Sequence, residues 1–161
     1  MHGRIEKIDE HNLPYACSMF KELHGLSDLR RFPFDESYNR ALTAHRMHDP
    51  AWWGYLARDL DDTEYVGVMV GSVQTALFSL ARIGFEHGMY VRAGTRFRLA
   101  TALHLVNSFV AWCYYEHNCI MVQSGDIASI NGQATHVLYR RAGFRPYGAI
   151  YSHERGAAHV E

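Results

Sequence analysis

The chain has 161 residues, 48% of them hydrophobic and 20% charged, with a formal net charge of -1. That length suits one domain with a true core, and the balance is that of an ordinary folded protein. The near-zero charge argues against nucleic acid or an anionic membrane as a whole-molecule partner, so any anion site is expected to be local.

No apolar run approaches the roughly 18 residues of a spanning helix, and MHGRIEKIDEHN does not read as a signal peptide. Cys17, Cys113 and Cys119 are an odd, sparse set that points to free thiols in a reducing compartment. The expected location is the cytoplasm, or the host cytoplasm or virion if the protein is viral.

In chain order, Arg4 to Asp9 alternates charge with isoleucine and predicts a first strand. Asp9 and Asn12 can cap a helix over Leu13 to Leu23, with Pro14 in its first turn. After an irregular stretch, Asp35 or Ser37 starts a second helix over Tyr38 to His48, stopped by Pro50. This helix pair is expected to overhang one sheet edge. Ala51 to Arg58 and Tyr65 to Gln74 predict a hairpin. The nearly continuous apolar character of its second strand implies cover on both faces. Thr75 to Leu80 reads as an apolar loop able to wall a pocket, and Arg82 to Val91 as the next strand.

Arg92-Ala93-Gly94-Thr95-Arg96-Phe97-Arg98 is a basic turn leading into a long amphipathic helix. Leu99, Leu103, Val106, Phe109, Val110 and Cys113 recur at helical spacing and predict its buried stripe. Helix starts present unpaired N–H groups and a positive dipole end, so this turn reads as a phosphate cradle. Ile120 to Gln123 is a short strand, Asn131 to Arg141 a helix stopped by Gly143, and Phe144 to His153 a last strand. The order is β-α-α-β-β-β-α-β-α-β, an α+β class chain with one domain over 1–154 and a tail over 155–161.

Two blocks carry a resemblance to a known family. One is Tyr90-Val91 ending a strand before the arginine-bearing turn and the long helix. The other is Asn131, Ala134, Leu138-Tyr139 and Gly143-Phe144. With the order of elements, they resemble the GCN5-related N-acetyltransferase (GNAT) superfamily from about Glu64 to Ser152. The resemblance implies an acyl-CoA N-acyltransferase (GNAT-like) fold, a mixed, mostly antiparallel sheet flanked by helices. It also implies acetyl-CoA as cofactor and an amine as acceptor: a small molecule, a protein lysine or an N-terminus. The family's pyrophosphate loop falls on Arg96, Phe97, Arg98, Leu99, Ala100 and Thr101. Leu99 stands where that family has glycine, and Thr101 where it has Gly or Ala. The strand Met89 to Val91 is implied to align pantetheine, Asn131 to contact the cofactor arm, and Tyr139 to protonate the leaving thiolate.

Acetyl transfer to an amine also needs a base. Glu86 and His87 are adjacent on the strand before the turn, with side chains on opposite faces, so only one is expected to reach the cleft. Imidazole has a suitable ordinary pKa, whereas a carboxylate needs burial to raise it. Eleven histidines prompt a search for metal ligands. The pairs His45/His48 and Cys113/His117 form no compact zinc pattern, and no metal is expected. Trp52, Trp53, Tyr55, Tyr65, Phe78 and Phe85 read as core or acceptor-pocket aromatics, and Trp112, Tyr114 and Tyr115 as a possible partner surface. The alternative function is a catalytically degenerate domain of the same fold, serving as a structural or interaction module in a homo-oligomer, a viral particle or another assembly.

Overall fold

A computed structural model of the chain describes residues 3–61, 63–125 and 132–147. Its five strands are β1 (Ile5–Lys7), β2 (Trp52–Arg58), β3 (Tyr65–Thr75), β4 (Arg82–Val91) and β5 (Met121–Gln123). They form one sheet in sequence order, antiparallel except for the parallel β4–β5 pair. The helices are α1 (Leu13–Leu26), α2 (Glu36–Arg46), α3 (Arg98–Ala111) and α4 (Gly132–Arg141), and α3 runs on into a π-helical turn at Trp112–Glu116.

Alternation along the strands sorts side chains into two cores. Trp52, Leu56, Val68 and Tyr90 pack with Ile8 against Leu13, Ala16 and Met19 of α1. Trp53, Ala57, Met69 and Val91 face α3 and α4. The dense apolar pattern of β3 is therefore explained: both of its faces are covered. Helix α2 is capped as expected, with the Asp35 carboxylate accepting from the Tyr38 amide. At the start of α1, Asn12 does not cap with its side chain; its Oδ1 accepts from the Asp9 amide instead.

The buried stripe of α3 is rotated from the expected one. Thr101, Ala102, Leu105, Val106, Phe109 and Cys113 are buried, whereas Leu99 is 37% exposed. The Phe109 ring lies so close to Gly71 that a Cβ there would sit 2.5 Å from its Cζ atom. Glycine on β3 thus lets α3 pack down onto the sheet.

Two further expectations are corrected. The Thr75–Leu80 loop does not line the cavity described below: Leu77, Phe78 and Leu80 project into solvent, Phe78 at 95% exposure. Residues 144–147 form no strand, and the rest of that expected strand, with the tail, lies outside the described residues. Among the described residues, no helix is long and apolar enough to cross a membrane.

Candidate active site

The site is created by an irregularity in β4. Val70 pairs with Gly88 and the next residue, Gly71, pairs with Glu86, so His87 is an extra residue with no partner across the ladder. Such a bulge bends a strand and increases its twist. At the same place β4 parts from β5, whose pairing covers only Ile83–Phe85 against Met121–Gln123. From Glu86 to Val91, that edge of β4 has no strand partner among the described residues.

A cavity of about 770 Å³ opens there and passes through the plane of the sheet. On one side it reaches Arg98, Leu99 and Ala102 of α3 and Leu138 and Tyr139 of α4. On the other it is walled by α1 and α2 and by Trp52, Val70 and Ser72. Glu86 and His87 do lie on opposite faces, but both line the cavity. Only one was expected to do so; a cleft crossing the sheet admits both.

The His87 Nε2 atom is 2.7 Å from the Ser72 hydroxyl oxygen. Burial among the cavity walls, reinforced by the positive charge of Arg46, pushes the His87 imidazole below its ordinary value. On the opposite face, the Glu86 carboxylate accepts hydrogen bonds from Tyr139 and Ser124 through one oxygen, Oε2. The Tyr139 ring meets Phe144 edge-on, with centroids 5.3 Å apart.

The basic turn divides into distinct duties. Arg92 forms an ion pair with Glu22 of α1 at 2.6 Å and donates to the Tyr65 carbonyl. Arg98 folds back and donates to the Val91 carbonyl at 2.9 Å. These two guanidiniums tie β4 to its surroundings, and Arg98 also lines the cavity. Arg96 lies over the exposed Phe97 ring, 4.9 Å from its centroid. Phe97 precedes α3 in the left-handed region, at φ 59. That conformation is costly for a residue with a side chain and is often found where backbone serves a binding site. Gly94 has φ +85 with open space around it.

The first amides of α3, those of Leu99 and Ala100, have no intrahelical acceptor. The Leu99 side chain stands in the cavity wall, and the buried Thr101 is turned into the core. Met89 packs against the α3 core and Val91 is part of it. Asn131 lies outside the described residues. Among the described residues, no group of three or more His, Cys, Asp or Glu could hold a metal.

Sequence reasoning missed Ser72, Ser124 and Arg46 as residues of this site, together with the α1–α2 wall. Single serines carry no pattern. The wall could have been suspected from the apolar residues Phe20, Leu23, Phe34 and Leu42, which exceed what a helix pair overhanging an edge needs to bury.

No family model and no curated protein matches the chain. Solved structures do match its shape. A probable acetyltransferase superposes with a TM-score of 0.72 and 18% identity, over 94% of this chain and 99% of that one. The aminoglycoside 6'-N-acetyltransferase AAC(6')-IG from Acinetobacter haemolyticus gives 0.73 and 16%, over 94% and 97%. AAC(6')-Iy, in complex with the bisubstrate analog CoA-S-monomethyl-acetylneamine, gives 0.76 and 16%, over 96% and 99%. At these identities the likeness establishes the fold: the chain has the single-domain acyl-CoA N-acyltransferase (GNAT-like) fold of acetyltransferases.

Proposed function

We propose that this chain is an N-acetyltransferase that moves an acetyl group from acetyl-CoA to a primary amine. One observation carries the reading: the bulge at His87 opens a cavity through the sheet, joining the start of α3 to a chamber under α1 and α2. A reaction between two separately bound substrates needs such a passage, with an anchoring end, an accepting end and titratable groups between them.

The residues present fit the cofactor. The β4 edge around Met89, which pairs with no strand among the described residues, offers backbone donors and acceptors to an amide-bearing arm. At the cavity's end, Arg96 and the amides of Phe97, Leu99 and Ala100, above the buried Thr101, offer positive charge and N–H groups to phosphates. Acetyl-CoA, when bound, supplies an acyl group activated as a thioester. The chain's own side chains then handle protons. His87, neutral near pH 7 because of its lowered pKa, takes the proton that an arriving ammonium must lose. Tyr139 holds a phenolic proton at the cavity wall for the departing sulfur, with Glu86 orienting the ring hydroxyl.

Titration with acetyl-CoA followed by thermal melting tests the first half of the reading. A hundredfold excess over the dissociation constant stabilises a one-site binder by about 2.7 kcal/mol. Release of free thiol in the presence of amines tests the second half. No melting shift at millimolar acetyl-CoA would sink the enzymatic account and leave the non-catalytic module.

A further inference from the structure

Given the acetyl-transfer reading, the accepting end of the cavity defines which amines can enter. Its walls are apolar and ring-sized: Phe20 and Leu23 from α1, Leu42 from α2, Phe34 before it, and Trp52 and Val70 from the sheet. Among the described residues that line the cavity, the only carboxylate is Glu86. It sits on the α4 face, where Tyr139 and Ser124 already donate to it. The charge on the accepting side is positive. Arg46 lines the chamber, held loosely by Asp49 at 3.4 Å, and Asp49 is outside the lining.

We propose that the acceptor is a monoamine with an apolar, ring-sized body, and that this chamber rejects polycationic amines. The amine nitrogen goes to His87 and Ser72 at the bulge, and the body lies between the aromatic walls. An ammonium group beyond the one being deprotonated would be stripped of water with no carboxylate on the accepting side among the described lining residues, and Arg46 would repel it. Selection of this kind combines an apolar attraction for one ligand with an uncompensated charge for the other. The chamber therefore differs in its chemistry from one built for an amino sugar carrying several charges, although the fold is shared with aminoglycoside acetyltransferases.

The test uses two probes, 2-phenylethylamine and spermidine, on the full chain. Binding of each is measured by calorimetry in the presence of CoA, and acetylation by thiol release with acetyl-CoA. The expected result is a dissociation constant for the monoamine at least about tenfold lower than that for spermidine, with the same preference in kcat/KM. In the variant Leu42→Glu, with fold checked by circular dichroism, the ratio should move toward spermidine by about tenfold, because the partly exposed α2 position then supplies a carboxylate. Spermidine binding as well as or better than the monoamine, binding of neither, or an unchanged ratio in Leu42→Glu would each overturn the inference. Preferential monoamine binding without thiol release would overturn the acetyl-transfer reading and leave the chamber's selectivity standing.

Discussion

The Tyr139 hydroxyl donates a hydrogen bond to Oε2 of Glu86, tying α4 to β4 across the gap left where β5 turns away. Ser124, just beyond β5, donates to the same oxygen. The tyrosine proposed to protonate the departing sulfur thus also closes one wall of the cavity, and its two roles are separable by substitution. Tyr139→Phe keeps the ring against Phe144 and removes only the hydroxyl. Stability should fall by about 1 kcal/mol, since Ser124 still serves the carboxylate. Turnover should fall by about a hundredfold with little change in acetyl-CoA affinity. Calorimetric melting and thiol release measure the two effects, and unaltered turnover would take the acid role from Tyr139.

His87 should set the acid limb of the pH profile. Burial and the Arg46 charge lower its pKa from 6.5, so the neutral base persists into mildly acidic solution. In kcat/KM, which reports the free enzyme, the limb should lie below pH 6.5. Arg46→Gln removes the repelling charge and should move the limb upward. His87→Ala should abolish the limb and lower kcat/KM by about a hundredfold. The same shift has a stability consequence. The folded state binds fewer protons than the unfolded one, so this contribution weakens as pH falls below 6.5 and through the lowered folded value.

The arginines of the basic turn should give opposite results. Arg92→Ala breaks the ion pair with Glu22 and the bond to the Tyr65 carbonyl. The pair is about one-third exposed, so the expected loss is only about 1 kcal/mol, read in a denaturant melt. Arg96→Ala, on an exposed side chain, should leave the melt unchanged and weaken acetyl-CoA binding by about tenfold in calorimetry. A normal affinity in Arg96→Ala would remove that residue from the proposed anion site.

Glu6 provides a control far from the catalytic chemistry. The Tyr65 hydroxyl donates to its Oε2 at 2.6 Å and Arg58 to its Oε1 at 2.9 Å, which holds the carboxyl down at about 2. A carboxylate with a depressed folded pKa contributes stability above the unfolded value, and loses it as pH falls through the folded one. Glu6→Gln should therefore cost about 1–3 kcal/mol at neutral pH. Its difference from the wild type should shrink between pH 4.5 and about 2. A constant difference across that window would mean that the charge of Glu6 is irrelevant to the pairing.

The strands, the helices and most of their limits follow from local pattern. The nearly continuous apolar run of Tyr65 to Gln74, the apolar residues of Arg82–Val91, the helical period after Arg98, and Asp35 before Glu36 are properties of neighbouring residues, and the structure has a strand or helix at each. The basic turn ahead of α3 was legible for the same reason. The extra residue at His87 was not, because a bulge exists only relative to the partner strand, and β4 read alone alternates normally. The arginine pairings were equally hidden: Arg92 finds Glu22 seventy positions away in sequence, and nothing near either residue marks the other. The Glu86–Tyr139 bond and the α1–α2 wall likewise required the sheet to bring distant segments together. Sequence by itself thus determined most of the segments that are strands and helices, the stretch from Phe144 being the exception, since those preferences act over a few residues. Only the tertiary structure decided where the sheet opens and which charges are already paired, because register and ion pairing are relations between segments far apart in the chain.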